Sequence, residues 1–215
     1  MTVTTNPLRN SIQQGDCIEV MRQLPAGYVD FILTDPPYLV RYKSRDGRSI
    51  ANDDNAAWLA PASREMYRVL KPDSLCVSFY GWTQTDRFMN AWRAAGFRIV
   101  GHIVFRKRYA SRARFVSYTH ESAYVLAKGR PVLPENPPAD VIDFPYSGNR
   151  LHPTQKPVAA LTPLIEAFCP EGGLVLDPFC GSGSTLVAAC DANCDYLGIE
   201  LDRTYHRIAA RRLAA

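Results

Sequence analysis

The fold of this chain is decided by the stretch Val-Asp-Phe-Ile-Leu-Thr-Asp-Pro-Pro-Tyr at residues 29–38. Its first part is an apolar run rich in β-branched and aromatic side chains, which predicts a buried β-strand. Pro36 and Pro37 end the strand, because proline has no amide hydrogen and a fixed φ angle. The stretch therefore predicts a stiff corner at the carboxyl end of a strand, where it presents the carboxylate of Asp35 and the ring of Tyr38.

The position of this corner suggests a ligand site. In open α/β sheets, ligands bind beyond the carboxyl ends of the strands. Hydrogen-bond acceptors held rigidly beside an aromatic ring suit a planar molecule that bears an exocyclic amine. An Asp-Pro pair alone is more often an ordinary turn after a strand, so the assignment depends on a second motif further along the chain.

The composition is that of a globular protein. The chain has 215 residues, 47% hydrophobic and 21% charged, which is enough for one domain with a substantial core. Its net charge of +4 does not by itself indicate a nucleic-acid partner. The sequence shows no secretory signal and no membrane-spanning stretch, so we expect a cytoplasmic protein without a membrane partner.

The cysteines and histidines do not form a metal-binding motif. No Cys-x-x-Cys pair occurs, and Cys190 and Cys194 have no second pair of ligands nearby in the sequence. These cysteines are therefore predicted to be buried free thiols, and no metal is expected.

Strand and helix patterns alternate along most of the chain. Strands are predicted at residues 11–14, 29–34, 75–80, 97–105, 120–128, 173–177 and 196–200. Helices are predicted at residues 18–24, 58–70, 84–95, 157–168, 184–190 and 202–213. This order predicts an α/β fold, a mostly parallel twisted sheet with helices on both faces.

The alternation breaks at two places. Residues 39–55 are polar and aperiodic, which predicts a mobile loop after the corner. Residues 106–150 are predicted to be a small inserted region within the single domain, and residues 131–145 in it are proline-rich and predicted to be irregular.

The second motif is Asp-Pro-Phe-Cys-Gly-Ser-Gly at residues 177–183. Gly181 and Gly183 allow a tight turn and close approach of the backbone to a ligand. Glu200 ends the next predicted strand, where a carboxylate commonly binds the hydroxyls of an adenosine ribose. A dinucleotide fingerprint needs glycine where Leu186 stands, and a P-loop needs a lysine that is missing. A ligand with a ribose but no phosphate, such as S-adenosylmethionine, fits best; a purely structural glycine turn is the alternative.

Together, the two motifs resemble the signatures of amino-methylating DNA methyltransferases. Their order, with the catalytic motif first and the cofactor loop last, resembles the β class of this family. Two more segments match the family: Gly-Asp-Cys at residues 15–17 and His-Pro-Thr-Gln-Lys-Pro at residues 152–157. The resemblance spans roughly residues 11–213 and implies a Rossmann-like methyltransferase fold with a circularly permuted motif order.

The resemblance implies methyl transfer to an amine of a base that is flipped out of double-stranded DNA. Asp35 and the carbonyl of Pro36 would accept hydrogen bonds from the amine, Pro37 would stiffen the corner, and the ring of Tyr38 would stack on the base. An aspartate at the first position implies adenine N6. Cytosine N4 is the alternative, and a protein amide substrate or a catalytically silent DNA-binding protein is less well supported.

For the cofactor, the resemblance implies contacts along the whole of S-adenosylmethionine. Asp16 is expected at the adenine amine, Glu200 at the ribose, and Thr154 and Lys156 at the methionine carboxylate. A solvated surface charge is the alternative for Lys156. The expected cofactor residues are Asp16, Cys17, Thr154, Lys156, Asp177, Phe179, Cys180, Gly181, Ser182, Gly183, Ser184 and Glu200.

Two cationic segments are expected to contact DNA phosphates. The first follows the catalytic corner, and the second lies where the family places target recognition. Their candidate residues are Arg41 and Lys43 in the first, and Arg106, Lys107, Arg108, Arg112 and Arg114 in the second. Tyr42, Tyr109 and Tyr118 could fill the gap left by a flipped base or could equally be core aromatics. A homodimer is compatible with the resemblance.

Overall fold

A computed structural model describes residues 8–43, 47, 49–110 and 115–214 of the chain. The strands are β1 (Ser11–Gln14), β2 (Val29–Thr34), β3 (Leu70–Phe79), β4 (Arg98–Arg106), β5 (His120–Lys128), β6 (Val141–Asp143), β7 (Leu174–Asp177) and β8 (Asp195–Glu200). The helices are α1 (Cys17–Arg22), α2 (Leu59–Val69), α3 (Thr85–Ala95), α4 (Val158–Phe168), α5 (Ser184–Asp191) and α6 (Arg203–Leu213), with a 3₁₀ turn at Trp82–Gln84.

The described strands form one sheet in the order β1-β8-β7-β2-β3-β5-β4-β6. All pairings are parallel except those of β5, which runs antiparallel to both β3 and β4. The predicted mostly parallel sheet is therefore confirmed. Because β5 is reversed, its first residues lie at the same edge of the sheet as the carboxyl ends of β2, β3, β7 and β8.

Strand β2 is central, and every one of its residues is buried. Ile32 packs on one face in a cluster with helices α1, α2 and α3. Phe31 and Leu33 pack on the other face in a cluster with α4 and α5. This two-sided burial explains the nearly continuous apolar run in the sequence, which is typical of parallel strands covered on both faces.

The structure differs from the sequence predictions at several places. Strand β3 begins at Leu70, several residues earlier than predicted, because Leu70 pairs with Val29 ahead of a register shift. Strand β6 lies in the stretch predicted to be irregular, where it pairs with the end of β4 at the sheet edge. Such a short edge strand depends on its neighbour rather than on its own sequence pattern.

The described part of the region 106–150 contributes strands to the main sheet. Strand β5 lies between β3 and β4, and β6 extends the sheet beyond β4. The other described residues of this region lie in the connections before and after these strands.

Two other expectations concern the cysteines and the membrane. All six cysteines are free, but Cys190 is exposed, which corrects the prediction that it is buried; Cys194 is buried as predicted. Among the described helices, none has the length and apolarity needed to span a bilayer.

Candidate active site

The predicted corner lies directly beyond β2, and its first and last side chains contact each other. The hydroxyl of Tyr38 donates a hydrogen bond to Oδ1 of Asp35 at 2.7 Å. Pro36 and Pro37 between them are buried. Gly81, just beyond β3, packs on this corner so closely that a Cβ there would lie 2.4 Å from the carbonyl oxygen of Tyr38. The end of the neighbouring strand therefore supports the corner.

Lys156 lies inside this site and not on the surface. Only 6% of the residue is exposed, which rules out the alternative of a solvated charge. Its Nζ lies 2.7 Å from Oδ2 of Asp35 and 2.9 Å from Oε2 of Glu121. It also lies 3.3 Å from the hydroxyl of Tyr38. Whether Lys156 also binds the methionine carboxylate stays a prediction.

Glu121, at the start of β5, was not predicted to be a site residue. Its Oε1 lies 2.5 Å from Nζ of Lys107, while its other oxygen faces Lys156. The sequence holds a weak sign of this role, because a carboxylate inside a buried strand needs a partner. The partners are distant in sequence, so the sequence does not identify them.

The charges of these groups influence one another. Burial raises the pKa of Asp35 and Glu121 adds to this effect, while Lys156 opposes both. For Glu121, burial alone would raise the pKa, but the ammonium groups of Lys156 and Lys107 outweigh it and lower the pKa to about 2. Burial also raises the pKa of Tyr38 well above its ordinary value, so its hydroxyl remains a donor at neutral pH.

At the other end of the site, the carboxylate of Glu200 is fixed at the end of β8. Its Oε2 accepts a hydrogen bond from the amide of Gly181 at 2.8 Å, and its Oε1 accepts one from the amide of Asp202 at 2.7 Å. Gly181 has a φ of +51°, a conformation that favours glycine. The glycine loop and the following carboxylate thus form one unit.

Asp16 lies close to this unit because β1 pairs with β8. Its Oδ1 accepts hydrogen bonds from the amides of Ile18 and Glu19 at 2.8 and 3.3 Å, which makes it the N-cap of α1. Capping occupies one carboxylate oxygen of Asp16. The predicted adenine contact would therefore use the other oxygen.

Asp177 lies between the two ends of the site and connects two segments of the chain, while its predicted contact with the cofactor stays a prediction. Its Oδ1 accepts hydrogen bonds from the hydroxyl of Thr34 at 2.8 Å and from the amide of Phe179 at 3.1 Å. It is 2% exposed, and burial raises its pKa to about 7. Asp177 thus joins the end of β2 to the glycine loop.

A single cleft brings most of the predicted site residues together. The predicted residues that line it are Asp16, Cys17, Asp35, Pro36, Pro37, Tyr38, Thr154, Lys156, Asp177, Phe179, Cys180, Gly181, Ser182, Ser184 and Glu200. Gly183 is not among the lining residues; it caps the start of α5 with a φ of +81° and packs against Ala209.

Several lining residues were missed by the sequence analysis. Trp58 packs edge-on against Phe179 with ring centroids 5.1 Å apart. His152, the first residue of the matched segment 152–157 but not itself a predicted site residue, packs against Tyr205 in the same way at 4.3 Å. Asp53 is 2% exposed and accepts the amide of Tyr42 at 2.6 Å. Asp53 thereby holds the start of the loop at residues 39–55. The mobility of this loop stays a prediction. Trp58 and Asp53 belong to no motif, so only the fold reveals them.

The candidate DNA contacts separate into three groups. Arg41 and Lys43 are exposed beside the cleft. Arg106 and Arg108 are also exposed, and both pair with Asp143, at 2.7 and 3.5 Å. Lys107 lies inside, with its side chain 8% exposed, so we assign it to the buried charge network and not to the phosphate contacts. Arg112 and Arg114 lie outside the described residues.

Comparison with known proteins identifies the family. A family model described as DNA methylase, of the N6/N4 type, matches residues 29–148 and 136–211. The chain belongs to the N6/N4 DNA methylase family. This methylase is 60% identical over 202 residues to YubD of Escherichia coli (strain K12), named as a candidate methylase, with 94% of this chain and 89% of YubD covered. It is 30% identical over 245 residues to the DNA adenine methyltransferase YhdJ of the same organism, with 94% and 82% covered.

Solved structures support the fold of the methylase. The crystal structure of the M1.HpyAVI–SAM complex has a TM-score of 0.77 at 23% identity, covering 95% of this chain and 99% of that one. The cytosine-N4-specific PvuII DNA methyltransferase has a TM-score of 0.78 at 17% identity, covering 95% and 86%. The expected Rossmann-like methyltransferase fold is thus confirmed. Within the described residues, no cluster of histidine, cysteine and carboxylate side chains suits a metal ion.

Asp177 gives a prediction about pH and stability. Its pKa of about 7, against an ordinary value of 3.8, means that the folded methylase binds more protons than the unfolded chain between these values. The free energy of unfolding should therefore fall as pH rises through this range. Asp177→Asn removes the titrating group. Between pH 5 and 7 the free energy of unfolding of the variant should therefore fall by about 2 kcal/mol less than that of the wild type.

Urea unfolding at a series of pH values measures this difference. Asp54→Asn, at an exposed loop residue, is the matched control and should follow the wild type. Parallel stability curves for Asp177→Asn and the wild type would contradict the assignment of the raised pKa to Asp177.

Proposed function

We propose that this methylase transfers a methyl group from S-adenosylmethionine to N6 of adenine in double-stranded DNA. One observation carries the proposal: the acceptor corner at Asp35 and the fixed carboxylate of Glu200 line the same cleft. An amine-binding end and a ribose-binding end within one cleft suit a reaction between a base and a nucleoside-containing methyl donor.

The residues at the cofactor end fit S-adenosylmethionine. Each oxygen of the Glu200 carboxylate accepts one backbone hydrogen bond, so each keeps a lone pair for a ribose hydroxyl. Phe179 and Trp58 offer aromatic surface, and Asp16 has one carboxylate oxygen that is not used in capping α1. When bound, S-adenosylmethionine supplies an electrophilic methyl group.

At the other end, the corner is built to hold an amine still. Oδ1 of Asp35 accepts from Tyr38 and Oδ2 from Lys156, which fixes the plane of the carboxylate while one lone pair on each oxygen stays free. Asp35 and the Pro36 carbonyl would then take the two amine hydrogens and aim the nitrogen lone pair at the methyl group. A neutral amine does not need to lose a proton before attack, so catalysis relies mainly on orientation and charge placement.

The choice of adenine rests on two arguments. Asp35 occupies the first position of the catalytic motif, and the relative YhdJ is named as an adenine methyltransferase. Cytosine N4 is the second candidate, because the PvuII enzyme of that specificity shares the fold.

The base specificity can be measured directly. We expect that incubating the wild-type methylase with unmodified DNA and S-adenosylmethionine yields N6-methyladenine, measured by mass spectrometry of the digested nucleosides. N4-methylcytosine as the only modified nucleoside would overturn the choice of adenine while supporting amine methylation of DNA. No modified nucleoside on DNA of varied sequence would contradict the proposed function.

Substitution of Asp35 tests the acceptor corner. Asp35→Ala should lower methyl transfer by at least about 100-fold, because the amine loses a charged acceptor and its orientation. Binding of S-adenosylmethionine, measured by calorimetry, should stay within a few-fold of the wild type. Asp54→Ala serves as the control and should retain full activity. A variant of Asp35 with near-normal turnover would exclude it as the acceptor.

Trp82 is the residue best placed to report DNA binding. It is 66% exposed, whereas Trp58 and Trp92 are 7% and 1% exposed. Its ring stacks on Tyr118 with centroids 5.9 Å apart, and it follows Gly81, which packs on the catalytic corner. An aromatic pair with the exposed ring of Trp82 at this edge suits stacking with an unpaired base.

Tryptophan fluorescence therefore provides a binding assay. DNA should quench the emission of the wild type but change that of Trp82→Phe much less. Trp82→Ala should weaken DNA binding about 10-fold, in line with the loss of one stacking contact. Val132→Ala is the matched control, because Val132 is 88% exposed and follows β5 at the opposite edge of the sheet. Equal affinities for Trp82→Ala and the wild type would contradict this contact.

A further inference from the structure

We propose that Glu121 is a positioning residue for Asp35 and that it acts through Lys156. Its role is to hold the lysine ammonium between two carboxylates, so that Asp35 stays oriented and open to the target amine. The inference rests on the proposed function, since it concerns the same catalytic corner.

The geometry that supports this is a line of four groups of alternating charge: Asp35, Lys156, Glu121 and Lys107. The ion-pair distances along the line are 2.7, 2.9 and 2.5 Å. The lysine side chains are 7% and 8% exposed, and those of Asp35 and Glu121 are 20% and 23% exposed. The line is therefore neutral overall and largely shielded from water.

The ammonium of Lys156 has all of its hydrogens directed at partners. It has three N–H groups, and its three oxygen neighbours are Oδ2 of Asp35, Oε2 of Glu121 and the hydroxyl of Tyr38. Its position over the rings of Tyr38 and Phe79, 5.3 and 4.9 Å from their centroids, restricts it further. In this arrangement no N–H of Lys156 is directed elsewhere.

Loss of the Glu121 charge would alter this arrangement in a definite way. One N–H of Lys156 would lose its anionic partner, and the ammonium could turn fully towards Asp35 or away from it. Either movement changes the orientation of the Asp35 carboxylate. That carboxylate must stay fixed if it is to aim the lone pair of the amine at the methyl group. Lys107 completes the arrangement, because it neutralises the second oxygen of Glu121.

The groups around Asp35 also determine how its ionisation responds to substitution. Lys156 and Tyr38 contact it directly, and Glu121 contacts Lys156. Lys107 pairs with Glu121, and Asp177 lies at the end of the neighbouring strand β7. Burial and Glu121 raise the pKa of Asp35, while Lys156 lowers it. The two substitutions Glu121→Gln and Lys156→Met should therefore shift this pKa in opposite directions.

The experiment compares pH profiles of kcat for the wild type, Glu121→Gln and Lys156→Met. In Glu121→Gln, the acid limb should move to lower pH, and kcat should fall about 10- to 100-fold, the range expected for a misplaced catalytic group. The KM for S-adenosylmethionine should change less than about 3-fold, because the residue acts on the amine side. In Lys156→Met, the acid limb should move to higher pH.

A matched control separates the effect of position from that of charge loss. Glu65→Gln removes a glutamate that pairs with Arg68 on α2 at 2.7 Å, away from the cleft, and should leave both kcat and the acid limb unchanged. If thermal melting shows that Glu121→Gln does not fold, the double variant Glu121→Gln/Lys107→Met, which removes the charges as a pair, takes its place and should show the same shift.

Three results would overturn the inference. They are an unchanged acid limb and kcat in Glu121→Gln, shifts of the same sign in both variants, and a large rise in the KM for S-adenosylmethionine at unchanged kcat. The last result would assign Lys156 and its partner to the cofactor carboxylate.

A measurement without turnover separates this inference from the proposed function. The carboxyl carbon of Asp35, labelled with ¹³C and assigned by comparison with Asp35→Asn, reports its ionisation by NMR. The titration of Asp35 should move to lower pH in Glu121→Gln and to higher pH in Lys156→Met. A titration that does not move in Glu121→Gln overturns the inference, even if the wild type proves inactive on DNA.

Discussion

The site depends on the ion pairs that the buried ammonium of Lys156 forms with Asp35 and Glu121. The ammonium joins three parts of the chain that are far apart in sequence: the corner after β2, the start of β5 and the segment before α4. Burying an ion costs several kcal/mol unless its partners are well placed, and removal of one partner from such a pair is strongly destabilising. The position of each of these segments is therefore tied to that of the other two.

The sheet order explains why a methyl donor and a base can share one cleft. Strand β7 lies between β2 and β8, so the glycine loop after β7 is flanked by the acceptor corner and by the carboxylate of Glu200. Asp177 strengthens this connection, because its carboxyl group accepts hydrogen bonds from the last residue of β2 and from the glycine loop. The distance between the two ends of the cleft is thus set by strand spacing and not by loop conformation.

The sequence predicted those parts of the fold and site that have local causes. The strand at residues 29–34, its proline corner and the glycine loop each follow from nearby residues, and all lie where the motifs suggested. Glu121 and the inward position of Lys107 could not be predicted, because their partners are distant in sequence and β5 is the one reversed strand of the described sheet. Strand β6 and the contact of Gly81 with Tyr38 were missed for the same reason: both depend on a neighbour in space.

The carboxyl groups of Asp35 and Asp177 lie at adjacent strand ends, but their partners differ. Asp177 is surrounded by neutral donors, the hydroxyl of Thr34 and the amide of Phe179, so burial dominates and its pKa rises to about 7. The pKa of Asp35 is also raised by burial and by Glu121, but the ammonium of Lys156 opposes this rise and favours the anion. An anion is the stronger acceptor, which suits the residue that must orient an amine. A carboxyl group that protonates near neutral pH suits a structural role, because a hydrogen-bonded neutral group in the core costs less than an unpaired charge. The difference between the two carboxyl groups thus depends on the position of a single lysine, and it supports the proposed role of Asp35 as the acceptor.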